Sequence, residues 1–153
     1  MQNEQSRLDW ADAMRLSSEL ATVILESDFA ADLLVAVARG GWVPTRLLSN
    51  ELNVKYLASI GVTYSDNDRK ELVIYSVPQP IRKGANILLV EDILESGRSL
   101  EHCRHHFEAS GAVVRTACFY FSDRTIVEPD YSLGRVSIAP ALPWETRPGA
   151  SVD

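Results

Sequence analysis

Fourteen residues, ILLVEDILESGRSL from Ile87 to Leu100, narrow the choice of fold more than any other stretch of the chain. Four apolar residues, Ile87 to Val90, run without alternation and stop at two adjacent carboxylates, Glu91 and Asp92. A short unbroken apolar run reads as a strand covered on both faces, which places it inside a mostly parallel sheet. A third acid, Glu95, precedes the small polar turn Ser96-Gly97-Arg98-Ser99. A helix is expected from about Ser99, with Leu100, Cys103 and Phe107 as its buried stripe and Gly111 as its close. The backbone N–H groups of such a turn, its hydroxyls and the helix start together form an anion cradle. The carboxylates ahead of the cradle cannot face a phosphate comfortably. They call for hydroxyls to accept from, or for a divalent cation to share.

The remaining chain supplies the partners that such a strand needs. A first helix is expected from the cap at Asp9, since Ala13, Leu16, Leu20, Val23 and Ile24 recur at helical spacing. Leu33 to Ala38, LLVAVA, is again apolar throughout and is followed by two glycines. A helix restarts in GWVPTRLLSNEL, with Pro44 tolerable only in its first turn. KYLASIGVTY and ELVIYSV read as strands around the polar loop Ser65 to Lys70, and AVVRTACFYF as one more strand. Strands alternating with helices imply an α/β fold whose twisted sheet is mainly parallel, joined by right-handed crossovers. One domain is expected, with a core over about residues 8–122 and a small, proline-broken C-terminal hood over about 123–146. The last residues, from about Arg147, are expected to fray.

Bulk properties remove several classes of partner. A length of 153 residues suits one core, and the net charge of −6 argues against a broad nucleic-acid surface. No apolar stretch approaches a membrane span, and the N-terminus shows no apolar signal region. The two cysteines, Cys103 and Cys118, match no ligand spacing and cannot make a disulfide framework, so a reducing cytoplasm is the expectation. His102, His105 and His106 fall on the side of their helix away from Leu100, Cys103 and Phe107, as a solvated face does.

In an open parallel sheet, ligands bind beyond the carboxyl ends of the strands. Besides the acidic stretch, the loop ARGGWVP after Ala38 offers Arg39 and the exposed backbone of Gly40 and Gly41 to phosphate oxygens. A ligand with phosphate at both ends and hydroxyls between them suits the two loops. Glu91-Asp92-Ile93-Leu94-Glu95-Ser96-Gly97-Arg98-Ser99 resembles the phosphoribosyl-pyrophosphate (PRPP) motif of the type I phosphoribosyltransferases, and VAVARGGWVP resembles their pyrophosphate loop. Within that family the chain is most similar to xanthine–guanine and related purine (hypoxanthine) phosphoribosyltransferases. The likeness runs from LDWADAMRLSSEL through YSDNDRKEL to VEPDY and LPWE.

The resemblance implies the type I phosphoribosyltransferase fold and transfer of a phosphoribosyl group from PRPP to a small-molecule base, a purine first, with Mg²⁺ as cofactor. It assigns the ribose and metal to Glu91 and Asp92, the base's ring proton to Glu95, and the 5-phosphate to Glu95, Ser96, Gly97, Arg98 and Ser99. It assigns the pyrophosphate to Arg39, Gly40 and Arg69, though Arg69 reads equally as a solvated loop residue. It implies a cis peptide at Ala38-Arg39, a covering loop at Ser65–Lys70 and a homodimer. Base-reading positions fall at Ser122, Ala139 and Leu142, and here the chain departs from the pattern. Purine enzymes carry a lysine where Ser122 stands and a stacking aromatic where Ala139 stands, and their acid at 95 is Asp rather than Glu. Leu142 and Trp144 can supply apolar cover, and Trp42 and Trp144 also read simply as packing residues. Two other functions therefore stay open: a PRPP-binding regulator with little turnover, and a phosphoribosyltransferase with a non-purine acceptor.

Overall fold

The computed structural model describes residues 6–68 and 70–145. The α1 helix, Trp10–Leu25, starts on a reciprocal cap: Asp12 N–H donates to Asp9 Oδ1 at 2.8 Å, and Asp9 N–H donates to Asp12 Oδ2 at 3.1 Å. Its buried face is Ala13, Leu16, Ser17, Leu20, Ala21 and Ile24. Val23, expected on that face, lies outside it and is exposed, because the small residues Ser17 and Ala21 complete the stripe instead.

β1 (Leu33–Ala38), β2 (Leu57–Tyr64), β3 (Leu72–Ser76), β4 (Asn86–Val90) and β6 (Val113–Ala117) form one sheet in the order β3-β2-β1-β4-β6. All neighbours are parallel except β2 and β3, which pair antiparallel across the Ser65–Lys70 loop. Both central strands are buried on both faces, as their unbroken apolar runs required. Leu34, Leu88 and Val90 meet Leu16, Leu20 and Leu48 on one side of the sheet. Val35, Val37, Ile87 and Leu89 meet Leu100, Cys103 and Phe107 on the other. Each such side chain contributes about 1.5–3 kcal/mol by leaving water. The helices responsible are α1 and α2 (Trp42–Glu51) on the first face and α3 (Arg98–Ala109) on the second. Pro44 sits in the first turn of α2, where its missing N–H breaks no helical bond.

The run AVVRTACFYF is not one strand. β6 ends at Ala117 and β7 (Tyr120–Ser122) joins a second sheet with β5 (Ile93–Leu94) and β8 (Arg135–Val136), in the order β5-β7-β8. The break comes from outside the segment: Cys118 N–H donates to Tyr131 O at 3.1 Å, and Phe119 N–H to Asp92 O at 2.8 Å. This small sheet is the floor of the hood. The N-terminal segment also joins the hood, with Leu8 N–H donating to Ala141 O at 2.9 Å and Ala141 N–H to Ser6 O at 2.8 Å. No helix among the described residues is long and apolar enough to cross a membrane. His102, His105 and His106 are exposed, and among the described residues no group of three or more His, Cys, Asp or Glu is gathered as a metal cage.

Candidate active site

β1 leads through α2 to its neighbour on one side, β2, while β4 leads through α3 to its neighbour on the other side, β6. The crevice between β1 and β4 is thus a topological switch point, and both loops singled out in the sequence open into it. A cleft of about 1010 Å³ lies there, lined by Arg39, Gly40, Trp42, Thr63, Tyr64, Tyr75, Asp92, Ser99 and Trp144 among others. A smaller hollow of about 170 Å³ is lined by Tyr64, Glu91, Ile93, Glu95, Ser96, Gly97 and Ser99. Tyr64 and Ser99 line both spaces, so the two adjoin.

The first loop leaves β1 through a cis peptide between Ala38 and Arg39, as the resemblance implied. Arg39 is exposed, and Arg39 O accepts from Trp42 N–H at 3.1 Å as the chain turns into α2. Gly40 faces the acidic pair so closely that a Cβ there would stand 2.6 Å from both carboxylate oxygens of Asp92. Only glycine leaves room for that carboxylate.

Asp92 is buried, and its carboxylate is held from two directions. Ile93 N–H donates to Oδ1 at 2.7 Å, and the indole N–H of Trp144 donates to Oδ2 at 3.0 Å. Trp144 in turn rests against Trp10 and Phe119, with ring centroids 5.8 and 6.4 Å away. Glu91 is half-buried beside it. Burial, and after it the charge of Asp92, pushes the Glu91 carboxyl up to about 8. Burial and then the Glu91 charge push the Cys103 thiol up to about 12, and Cys118 is pushed up in the same way. Both thiols are therefore neutral packing groups.

The cradle is built on Gly97, whose φ of 72° starts α3 and suits glycine. Ile126 N–H donates to Ser96 O at 2.9 Å, so the hood backs the turn. Glu95 and Ser96 are exposed, and Ser99 is half-buried at the first turn of the helix. The Arg98 side chain turns away from the cradle. Its Nη2 donates to Lys70 O at 2.7 Å, and its guanidinium stacks over the Tyr64 ring at 5.5 Å. Arg98 thus grips the Ser65–Lys70 loop with its side chain, while its backbone stands at the start of α3. Arg69 lies outside the described residues.

The base-reading positions stand elsewhere than expected. Ser122 is buried; its hydroxyl donates to Glu95 O at 2.7 Å and accepts from Arg124 N–H at 3.1 Å, which leaves no donor to present to a base. Leu142 is fully buried in the core beside Leu16 and Phe119. Ala139 is half-buried, and none of the three lines the cleft or the hollow. Trp144, read from the sequence as apolar cover or packing, also holds a carboxylate of the acidic pair. Its aromatic character was visible, but its bond to a carboxylate 52 positions away was not.

Comparison with known proteins covers most of the chain. The family described as phosphoribosyl transferase domain matches residues 8–147. A xanthine-guanine phosphoribosyltransferase from Idiomarina loihiensis is 27% identical over 104 residues, covering 67% of this chain and 64% of that protein. One from Vibrio vulnificus is 32% identical over 73 residues, covering 47% of this chain and 46% of that protein. The chain therefore matches less than two thirds of the length of these curated relatives. Among solved structures, a purine phosphoribosyltransferase from Pyrococcus horikoshii is 27% identical with a TM-score of 0.84, over 97% of this chain and 98% of that one. The xanthine-guanine-hypoxanthine phosphoribosyltransferase of Helicobacter pylori shares the fold at a TM-score of 0.83, with 23% identity over 93% of this chain and 94% of that one.

Proposed function

The chain belongs to the phosphoribosyl transferase domain family, and on that premise we propose that it transfers the phosphoribosyl group of PRPP to a purine base, releasing pyrophosphate. The observation that carries this reading is the meeting of the two loops at one switch point. Arg39, Gly40 and Asp92 line a cleft that adjoins, at Tyr64 and Ser99, the hollow lined by Ser96 and Gly97. Phosphate-binding groups stand at both ends, with carboxylates between them, matching the order of groups along PRPP.

In this reading the sugar carbon passes through an oxocarbenium-like state, and the protein's task is to hold the ribose while the pyrophosphate departs. Backbone N–H groups and hydroxyls of Ser96–Ser99 hold the 5-phosphate. Asp92, with Glu91, accepts from the ribose hydroxyls. Arg39 and the Gly40 backbone hold the pyrophosphate and stabilise its growing charge. Glu95, at the mouth of the hollow, takes the ring proton of the acceptor nitrogen. The Ser65–Lys70 loop, anchored by Arg98, covers the site against water. The adjacent carboxylates of Asp92 and Glu91, which line the cleft and the hollow, are oxygen ligands of the kind that Mg²⁺ takes, and they would hold it. When bound, the ion neutralises leaving-group charge.

A second reading concerns the acceptor. With serine at position 122 and its hydroxyl committed to Glu95 O, that position supplies no cationic donor to read an oxopurine, which favours an acceptor of another kind.

The test is pyrophosphate release with PRPP, Mg²⁺ and a panel of purine and non-purine bases. Release with a purine, lost in Asp92→Asn while the fold persists, is the expected result. Silence with every base refutes transfer, and release with non-purines alone selects the second reading.

A further inference from the structure

Resting on that reading of Asp92, we propose that Trp144 is a positioning residue for phosphoribosyl transfer, its indole N–H fixing the carboxylate that receives the ribose. A carboxylate that is to accept from two hydroxyls has to present its free lone pairs in one orientation. Asp92 has a local donor, Ile93 N–H at 2.7 Å, on Oδ1. That bond alone leaves the side chain free to turn about its Cβ–Cγ axis. The second donor, Trp144 Nε1 at 3.0 Å on Oδ2, removes the freedom. With both in place, the remaining lone pairs are directed by two groups that are themselves fixed.

Trp144 is suited to this work because it cannot easily move. Its ring is held between Trp10, from the start of α1, and Phe119, from the crossing between the two sheets. Indole is also a donor only, so it satisfies one lone pair and cannot compete for the hydroxyl protons that Asp92 receives. Trp144 and Asp92 both line the cleft, so the bond stands at the ligand's edge rather than in the core. The arrangement ties the hood, which faces the acceptor, to the acid that faces the sugar. A disturbance in either is transmitted through one hydrogen bond.

Trp144→Phe keeps a ring against Trp10 and Phe119 and removes the donor. PRPP affinity, measured by calorimetry without acceptor, and the KM for PRPP are expected to weaken roughly tenfold to a hundredfold, the weight of a hydrogen bond to a charged group. The acceptor KM should stay near wild type, while the melting temperature falls by roughly 3–12 °C, the weight of one bond lost to a buried carboxylate in a domain this size. Unchanged PRPP affinity overturns the proposal. So does an equal loss in both KM values, which would make Trp144 a packing residue of the hood. A second measurement does not depend on that variant folding. The Trp144 indole resonance, assigned with Trp10→Phe and Trp42→Phe, should be protected from hydrogen exchange and lose that protection in Asp92→Ala. Equal exchange in both proteins overturns the bond itself. Wild-type protein that neither binds PRPP nor releases pyrophosphate would overturn the functional reading, and this proposal with it. An active wild type with an indifferent Trp144→Phe overturns this proposal alone.

Discussion

Replacing Gly40 by alanine adds one methyl group at the point where the two loops meet. The new Cβ would stand 2.6 Å from Oδ1 and Oδ2 of Asp92 and 2.7 Å from its Cγ. Ordinary contact begins near 3.4 Å, so one side must give by about 0.8 Å. Asp92 has nowhere to retreat: it is buried, and both oxygens are held. Overpacking of this kind costs about 1–3 kcal/mol. Losing one of the two bonds to the carboxylate adds about 1.5–3 kcal/mol. A combined loss of about 3 kcal/mol lowers the melting temperature of a domain this size by roughly 6–12 °C. A reactive group displaced by about 1 Å costs on the order of a hundredfold in turnover. Pyrophosphate release and thermal melting of Gly40→Ala measure the two effects separately. Removing the obstacle in Gly40→Ala with Asp92→Ala should return most of the melting temperature and none of the turnover. If Gly40→Ala alone matches wild type in both assays, the close approach of the loops has no functional weight.

Three further outcomes follow from the site. Glu91 holds its proton up to about 8, above its ordinary 4.5, so the native state binds a proton that the unfolded chain releases between those values. Stability should be greatest below about pH 4.5 as far as this group is concerned, fall as pH rises, and level off above about pH 8, by at most on the order of 5 kcal/mol. Denaturant melts from about pH 5 to pH 9 check this, and a slope that survives Glu91→Gln would assign it to other groups. Arg98→Ala removes the anchor on Lys70 O, so amide exchange in the Ser65–Lys70 loop should rise while α3 stays protected; unchanged loop exchange counts against the anchor. Ser122→Ala should cost about 1–3 kcal/mol through the bonds lost to Glu95 O and Arg124 N–H. Ser122→Lys should cost more and bring no oxopurine turnover; a stable, more active Ser122→Lys protein would return position 122 to the base site.

Where function was concentrated in a continuous stretch, it could be read from the chain. The unbroken run Ile87 to Val90 announced a strand buried on both faces, and the acids and small turn after it stand where such a strand delivers them. The helical stripe of Leu100, Cys103 and Phe107 placed the three histidines in solvent correctly. What escaped notice depends on partners far along the chain. Cys118 and Phe119 have the composition of a strand, yet Tyr131 and Asp92 take their N–H groups and divert the chain to another sheet. Ser122 looked like a weakened base reader because alignment by pattern says nothing of what a hydroxyl already binds. Leu142 looked available to a ligand, while the interior had already claimed it.

The pairing of Leu8 with Ala141 gives the molecule an order of assembly. In a protein made from its N-terminus, residues 6–8 must wait until residue 141 has been made before they meet their partner. The cradle and the glycine loop lie in earlier sequence, between residues 38 and 99, and their strands can pair as β4 is completed. Closing so distant a contact is slow compared with local helix and turn formation. The glycine loop and the turn at Ser96–Ser99 can therefore take shape early in synthesis, while the hood, and with it the seat of Trp144, forms only once Ala141 has been made. A chain stopped short of Ala141 would leave residues 6–8 without the segment they pair with.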